Sequence, residues 1–253
     1  MKTDYFKQYR LLIETAIIVV LVIGLKLLIE HFSLEFINIS PLFTSVIAGG
    51  IFIISIILSG IISDYKESEK LPAEIASAVE NIYEDGLYIK ETYKKFDLQS
   101  LQHALQQVLQ HFRKDLSNKE SRTALASVAV LSTSFLEMEK LGAPANYIVR
   151  LKQEQSLIRK SLLRIYHIQR IKFLPSAYIL AETIVFLIIG LLIFTKIEPF
   201  FDGMIMVAFI SYLFVFLIKL LRTVDQPFRV DEYTMDDVSL FLLRETHERI
   251  SRR

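Results

Sequence analysis

The sequence predicts an all-α integral membrane protein with four transmembrane helices and a charged helical domain between the second and third. Three observations predict it. Residues 11–29, 42–63, 178–195 and 204–221 are apolar runs with few or no charges, each near the ~20 residues an α-helix needs to cross a bilayer. The stretch between the second and third runs is charged and carries apolar residues three and four apart, the period of a helix face. The 6 prolines (Pro41, Pro72, Pro144, Pro175, Pro199 and Pro227) are expected at element boundaries, where a ring without an amide donor is tolerated. The bulk composition agrees. The chain has 253 residues, 52% of them hydrophobic, and a mean hydropathy of +0.39, a balance that fits a chain divided between bilayer and water. With 0 cysteines, disulfides and thiol chemistry are excluded. A formal net charge of +1 gives no overall bias toward nucleic acid.

Residues 1–63 form the N-terminal arm and the first two spans. The arm is basic, with Lys2, Lys7 and Arg10. The first run carries Glu14 near its start and Lys26 near its end, where long side chains can snorkel to an interface. It is too long for a signal-peptide core and lacks a small-residue cleavage site after it. Residues 31–40 are a short loop without Lys or Arg, and Pro41 opens the second run.

Residues 64–174 form the charged helical domain. Leu71, Ile75, Ala78, Val79, Ile82 and Tyr83 mark a first helix face, with Gly86 as its expected interruption. Leu98, Leu101, Leu105, Val108, Leu109 and Phe112 mark a second. Asn118 or Ser121 is the expected cap of a third helix over residues 124–138, ended by Gly142, Ala143 and Pro144. A fourth, over residues 146–173, is basic: Arg150, Lys152, Arg159, Lys160, Arg164, Arg170 and Lys172 stand against Glu154. That face could gather anions, bind anionic headgroups or simply be solvated. Residues 175–222 hold the last two spans, antiparallel neighbours because residues 196–202 are so short a link. Residues 223–253 are a tail with Asp225-Gln226-Pro227-Phe228, an acidic stretch and an amphipathic end over 238–250. No strand or 20–50-residue repeat is legible in the charged domain.

The basic residues set the expected orientation. The arm, the charged domain and the tail are rich in Lys and Arg, and the two short loops are nearly free of them. The positive-inside rule then puts both termini and the charged domain in the cytoplasm of a cell with this multi-pass protein in its inner membrane.

The second run is sorted by residue size. At about 100° per residue, Ser45, Ala48, Gly49, Phe52, Ser55, Ile56, Ser59 and Ser63 share one arc. Val46, Ile47, Ile51, Ile53, Ile54, Ile57, Leu58, Ile61 and Ile62 fill the rest. Contact with lipid alone gives no reason for such sorting. Close packing on a neighbouring helix does, and so does lining a wet cavity. Phe52, bulky and mid-run, suits a hydrophobic constriction. Glu14 and Glu182 are the other intramembrane polar candidates: an ionisable group in a span faces a protein interior, a water path or an interface. The 5 histidines include His103 and His111, eight apart, without carboxylates at metal-binding spacing. No GxSxG elbow and no phosphate-binding glycine loop is present, so no enzyme activity and no cofactor are expected.

The order of elements, two spans, a helical insert, a tight pair of spans and a short acidic tail after Pro-Phe, resembles the bestrophin superfamily, and within it the prokaryotic bestrophin-like branch. The resemblance rests locally on Tyr65-Lys66-Glu67-Ser68-Glu69-Lys70-Leu71 after the second span. It rests also on Gln226-Pro227-Phe228 with Asp231 beyond it, and on Glu14 and Lys26 bracketing the first span. It implies a pentameric anion channel whose second span lines the pore, with a neck drawn from Ala48, Phe52, Ile56 and their neighbours. Where paired aromatics follow the span in the family, this chain has Tyr65 and Lys66. Of the calcium clasp of animal members only Asp231 is matched, with Thr223, Gln226 and Thr234 at other ligand positions, so Asp231 is a weak metal candidate and calcium gating is not expected. The resulting expectation is a homo-oligomeric channel in the lipid bilayer passing small anions passively, with no nucleic-acid partner. The alternative is a non-conducting membrane scaffold or sensor whose cytoplasmic helices bind a partner.

Overall fold

The structure, a computed structural model, describes residues 2–171, 174–229 and 234–252, with side chains from Tyr9 onward. The chain folds as two units. Four helices, α1 (Lys2–His31), α2 (Pro41–Thr92), α6 (Pro175–Ile193) and α7 (Phe200–Val224), are long and apolar enough to cross a membrane. The protein is an all-α integral membrane protein. The remaining helices are α3 (Leu98–Asn118), α4 (Thr123–Lys140), α5 (Ala145–Arg170) and α8 (Phe241–Arg252).

The membrane unit takes residues 2–64, 174–225 and 234–236. In it α7 packs on α1 and α6, and α1 touches α6. Ile54 of α2, Ala181, Val185, Ile188 and Leu192 of α6, and Val207 and Phe214 of α7 form the core. Helices satisfy their own backbone groups, which a bilayer demands. Beyond the spans two short strands, β1 (Ile37–Asn38) and β2 (Thr195–Lys196), pair in parallel with Ile37 opposite Thr195. They tie the loop after α1 to the loop after α6. Lys26, expected to snorkel, instead sits beside these loops at 3% exposure. Its ammonium donates to the Thr195 carbonyl (2.5 Å) and pairs with Glu35. A buried charge requires such partners, and the loops supply them.

The charged unit takes Tyr65–Ile171 and residues 226–229 and 237–252. It is built from the rest of α2 with α3, α4, α5 and α8, where α3 packs on α4 and α8, and α4 on α5. Ile75, Ile82, Phe96, Leu105, Phe112, Phe135, Leu151 and Ile158 are fully or almost fully buried in one core, which also takes Phe228 of the Gln226-Pro227-Phe228 motif. Antiparallel α2 and α5 are stitched by polar pairs. Glu67 accepts from Arg164 (2.6 Å), Glu74 from the Ser161 hydroxyl (3.0 Å), and Glu154 from the Asn81 amide (3.1 Å). Asp85 pairs with Arg150 at 3.1 Å. Glu67, Glu74 and Asn81 are seven apart, the repeat of a helix–helix seam.

Three local expectations are corrected in this unit. Pro72 is not at a boundary but inside α2. Its ring withholds one helix hydrogen bond, and α2 continues because Leu71, Pro72 and Ile75 are buried against the core. Gly86 does not interrupt α2. It permits close approach: a Cβ there would stand 2.4 Å from the Leu101 Cδ2 of α3. Neither Asn118 nor Ser121 caps α4. Asp115 of α3 does so from the side, accepting from the Ala124 amide (2.9 Å), the Thr123 amide (3.4 Å) and the Thr123 hydroxyl. It also accepts from the buried Tyr166 hydroxyl of α5 (3.0 Å). Burial pushes the Asp115 carboxyl up, but the bonds from Thr123, the Ala124 amide and Tyr166 outweigh it and hold the carboxyl below its ordinary value.

Candidate functional site

The membrane half of α2 has one packed face and one uncovered face. Gly50, Ile54 and Ile61 are buried, and the packing at Gly50 is close: a Cβ there would lie 2.6 Å from Ile188 and 2.9 Å from Ile184. The other face is uncovered along its whole length. Ser45, Ala48, Gly49, Phe52, Ser55, Ile56, Ser59 and Ser63 are all exposed. A Cβ on Gly49 would touch nothing within 4 Å. Phe52 is 66% exposed and Ile54, two residues on, 0%.

What distinguishes this face is its chemistry. The other spans expose large apolar residues, Val20 and Leu21 on α1, Ile179 and Phe186 on α6, Ile205 and Phe209 on α7, as contact with lipid tails favours. Only on α2 does an uncovered stripe consist mostly of serine, alanine and glycine among the described residues. The apolar window of α2 is also the least covered of the four, 17% buried against 28% for α1 and α7 and 33% for the third span. The Ser45 and Ser55 hydroxyls donate to the carbonyls of Pro41 (2.8 Å) and Ile51 (2.7 Å) on their own helix.

Glu14 and Glu182 are both ion-paired, with partners that the sequence left unassigned. Glu14 accepts from Arg10 (2.9 Å) and, across from α1 to α7, from Lys219 (2.7 Å). Glu182 of α6 accepts from Arg222 of α7 at 2.5 and 3.1 Å. A signal existed: one acid lies a turn inside the first run and one inside the third, and Lys219 and Arg222 stand a turn apart at the end of the fourth. These pairs join α7 to both neighbours at one end of the spans, as the Lys26–Glu35 pair ties loops at the other.

Among the described residues the histidines assemble no reactive centre. His111 shares a hydrogen bond with Ser127 (2.6 Å) and His103 with Gln107 (2.9 Å). Among the described residues no three His, Asp or Glu side chains converge on a metal position. Asp231, the weak metal candidate, lies outside the described residues, as does Glu232.

No family model matches the sequence, and no curated protein does. Solved structures match over nearly the full chain. A point variant of a bacterial bestrophin homolog from Klebsiella pneumoniae superposes with a TM-score of 0.80 at 12% identity, covering 95% of this chain and 97% of that one. Another crystal structure of a bacterial bestrophin homolog from the same organism gives 0.77 at 12%, covering 96% and 97%. A crystal structure described as a membrane protein gives 0.79 at 11%, covering 95% and 97%. The chain has the bestrophin fold.

Proposed function

We propose that this protein is a homo-oligomeric channel, a pentamer as the resemblance to the bestrophin superfamily implies, that passes small anions passively through an axis lined by α2. The observation that carries the reading is the uncovered face of α2, small and hydroxylated where every other span turns large apolar residues outward. Copies of the chain arranged about an axis would take that face out of lipid and give Phe52 a ring of its own kind at mid-membrane. Rings of apolar side chains gate by dewetting, without any charge. Under this reading residues 64–174 and the tail from 223 lie in the cytoplasm, and both termini with them. The ion pairs of Glu14 and Glu182 are structural ties between spans.

A second reading has one observation in its favour. Ser45 and Ser55 satisfy their hydroxyls on their own helix, so the stripe can also pack dry, as the assembly seam of a non-conducting scaffold. Reconstitution separates the two. The purified chain, of stated oligomeric mass, is expected to release chloride from gradient-loaded liposomes; intact oligomers that leave the liposomes tight would overturn the channel reading. Orientation is checked in the same cysteine-free chain by an impermeant thiol reagent on cells. Cysteine at Ser33 is expected to label from outside and at Ser117 to be protected; the reverse would overturn the orientation.

A further inference from the structure

The uncovered face of α2 does not end with the span. Three and seven residues beyond Ser63, Lys66 and Lys70 fall on the same arc at about 100° per residue, and both are exposed, as are Ala73 and Ser77 further on. Two acids share the arc, and both are turned to α5. Glu67 accepts from Arg164 at 2.6 and 3.1 Å, and Glu74 accepts from Ser161 at 3.0 Å. The Arg164 guanidinium pairs with Glu67, and the Lys160 and Lys70 charges act on it more weakly. Glu69, also exposed, lies on the flank, roughly 90° from the centre of the arc. Neither Lys66 nor Lys70 is held in an ion pair among the described residues. Two cations per chain, neither in an ion pair, therefore fall on the arc of the single helix α2 that also carries Phe52.

We propose that Lys66 and Lys70 are the residues that make the channel select anions: repeated around the axis, they form two rings of positive charge at the mouth of the pore. The inference rests on the channel reading above. A ring of phenylalanines narrows the path but prefers neither sign of charge, so selectivity needs another source. Lysine rings supply it in the way charged rings do in other pores. A lining of one sign between low-dielectric walls raises the local counter-ion concentration about tenfold or more. Lysine suits the task because its ammonium is a compact charge on a flexible stem, which reaches into the path without closing it.

The full-length chain in planar bilayers under a potassium chloride gradient tests this by its reversal potential. The wild type is expected to reverse on the chloride side, and less so near 1 M salt, where the screening length shrinks to about 3 Å. Lys66→Gln with Lys70→Gln should lower the anion-to-cation permeability ratio about tenfold while current persists. Lys66→Glu with Lys70→Glu should move the reversal potential to the potassium side, and Lys66→Arg with Lys70→Arg should keep the wild-type value. Conducting Gln variants with an unchanged reversal potential would overturn the role of the lysines and leave the channel reading standing. A wild type that carries no current as an intact oligomer would overturn both.

Discussion

The two units of this chain expose opposite kinds of residue. In the charged unit the apolar positions are the buried ones: Leu101, Leu105, Val108 and Phe112 of α3 face the core, and Arg113 and Lys114 face out. In the membrane unit large apolar residues such as Leu21, Phe186 and Phe209 are exposed, while Thr15, Lys26, Gly50 and Ser211 are buried. Hydrophobicity reports burial only where the surroundings are water. In a bilayer, tails solvate leucine as well as a core does, and small or polar residues mark the contacts. The two halves of α2 show both regimes on one helix. Beyond residue 65 its exposed face is charged, and before it that face is small and hydroxylated.

The comparison predicts its largest effect in the charged unit. Phe135 is 1% exposed in that core, and Phe135→Ala should cost about 3–5 kcal/mol. Thermal unfolding in detergent is expected to shift accordingly. A shift within error would mean that Phe135 does not hold this core together.

Asp115 gives the next effect. It joins α3, α4 and α5 through Thr123, Ala124 and Tyr166, so Asp115→Asn should cost about 1–3 kcal/mol by leaving buried donors poorly matched. The pH dependence has a fixed sign. The folded carboxyl lies below its ordinary value of 3.8, so the unfolded chain binds the proton more readily. The contribution is complete above that ordinary value and is lost as pH falls through the lower, folded one. Acid unfolding of Asp115→Asn should therefore be shallower than that of the wild type; parallel acid limbs would show that this network does not report on Asp115.

Gly49 and Gly50 give a smaller, more discriminating effect. Gly50→Ala meets Ile188 and Ile184, and overpacking of this kind costs about 1–3 kcal/mol. Gly49→Ala meets nothing in the chain and should leave the isolated chain's stability unchanged or raise it by up to about 1 kcal/mol through helix propensity. Thermal unfolding of the two variants in detergent that separates the copies reads the difference. Equal losses would contradict the assignment of faces.

The fold was legible in the sequence because four apolar runs and helical spacing are local signals. The sorting of α2 into a small and an aliphatic arc was legible for the same reason: a helix projects its own sequence onto its faces. What escaped depends on contacts distant in sequence. Pro72 reads as a boundary until the burial around it is known. Gly86 reads as a break until Leu101 is placed against it. The cap of α4 comes from Asp115 rather than from the residues just before the helix, and the burial of Lys26 requires the loops at Glu35 and Thr195. Each is a pairing between elements, which spacing within one element does not encode.

The central claim is that the small face of α2 lines a conducting axis, and the contrast between Phe52 and Ile54 tests it most directly. Both side chains are apolar, two residues apart and at nearly the same depth, but Phe52 is on the uncovered face and Ile54 is 0% exposed against the core. Phe52→Ala and Ile54→Ala are compared for chloride flux in liposomes, at equal amounts of intact oligomer. Phe52→Ala should widen the constriction and raise flux above the wild type. Ile54→Ala should show no gain, and a packing cost of about 2–5 kcal/mol. No flux from the wild type and either variant, or equal gains from both, would contradict the claim.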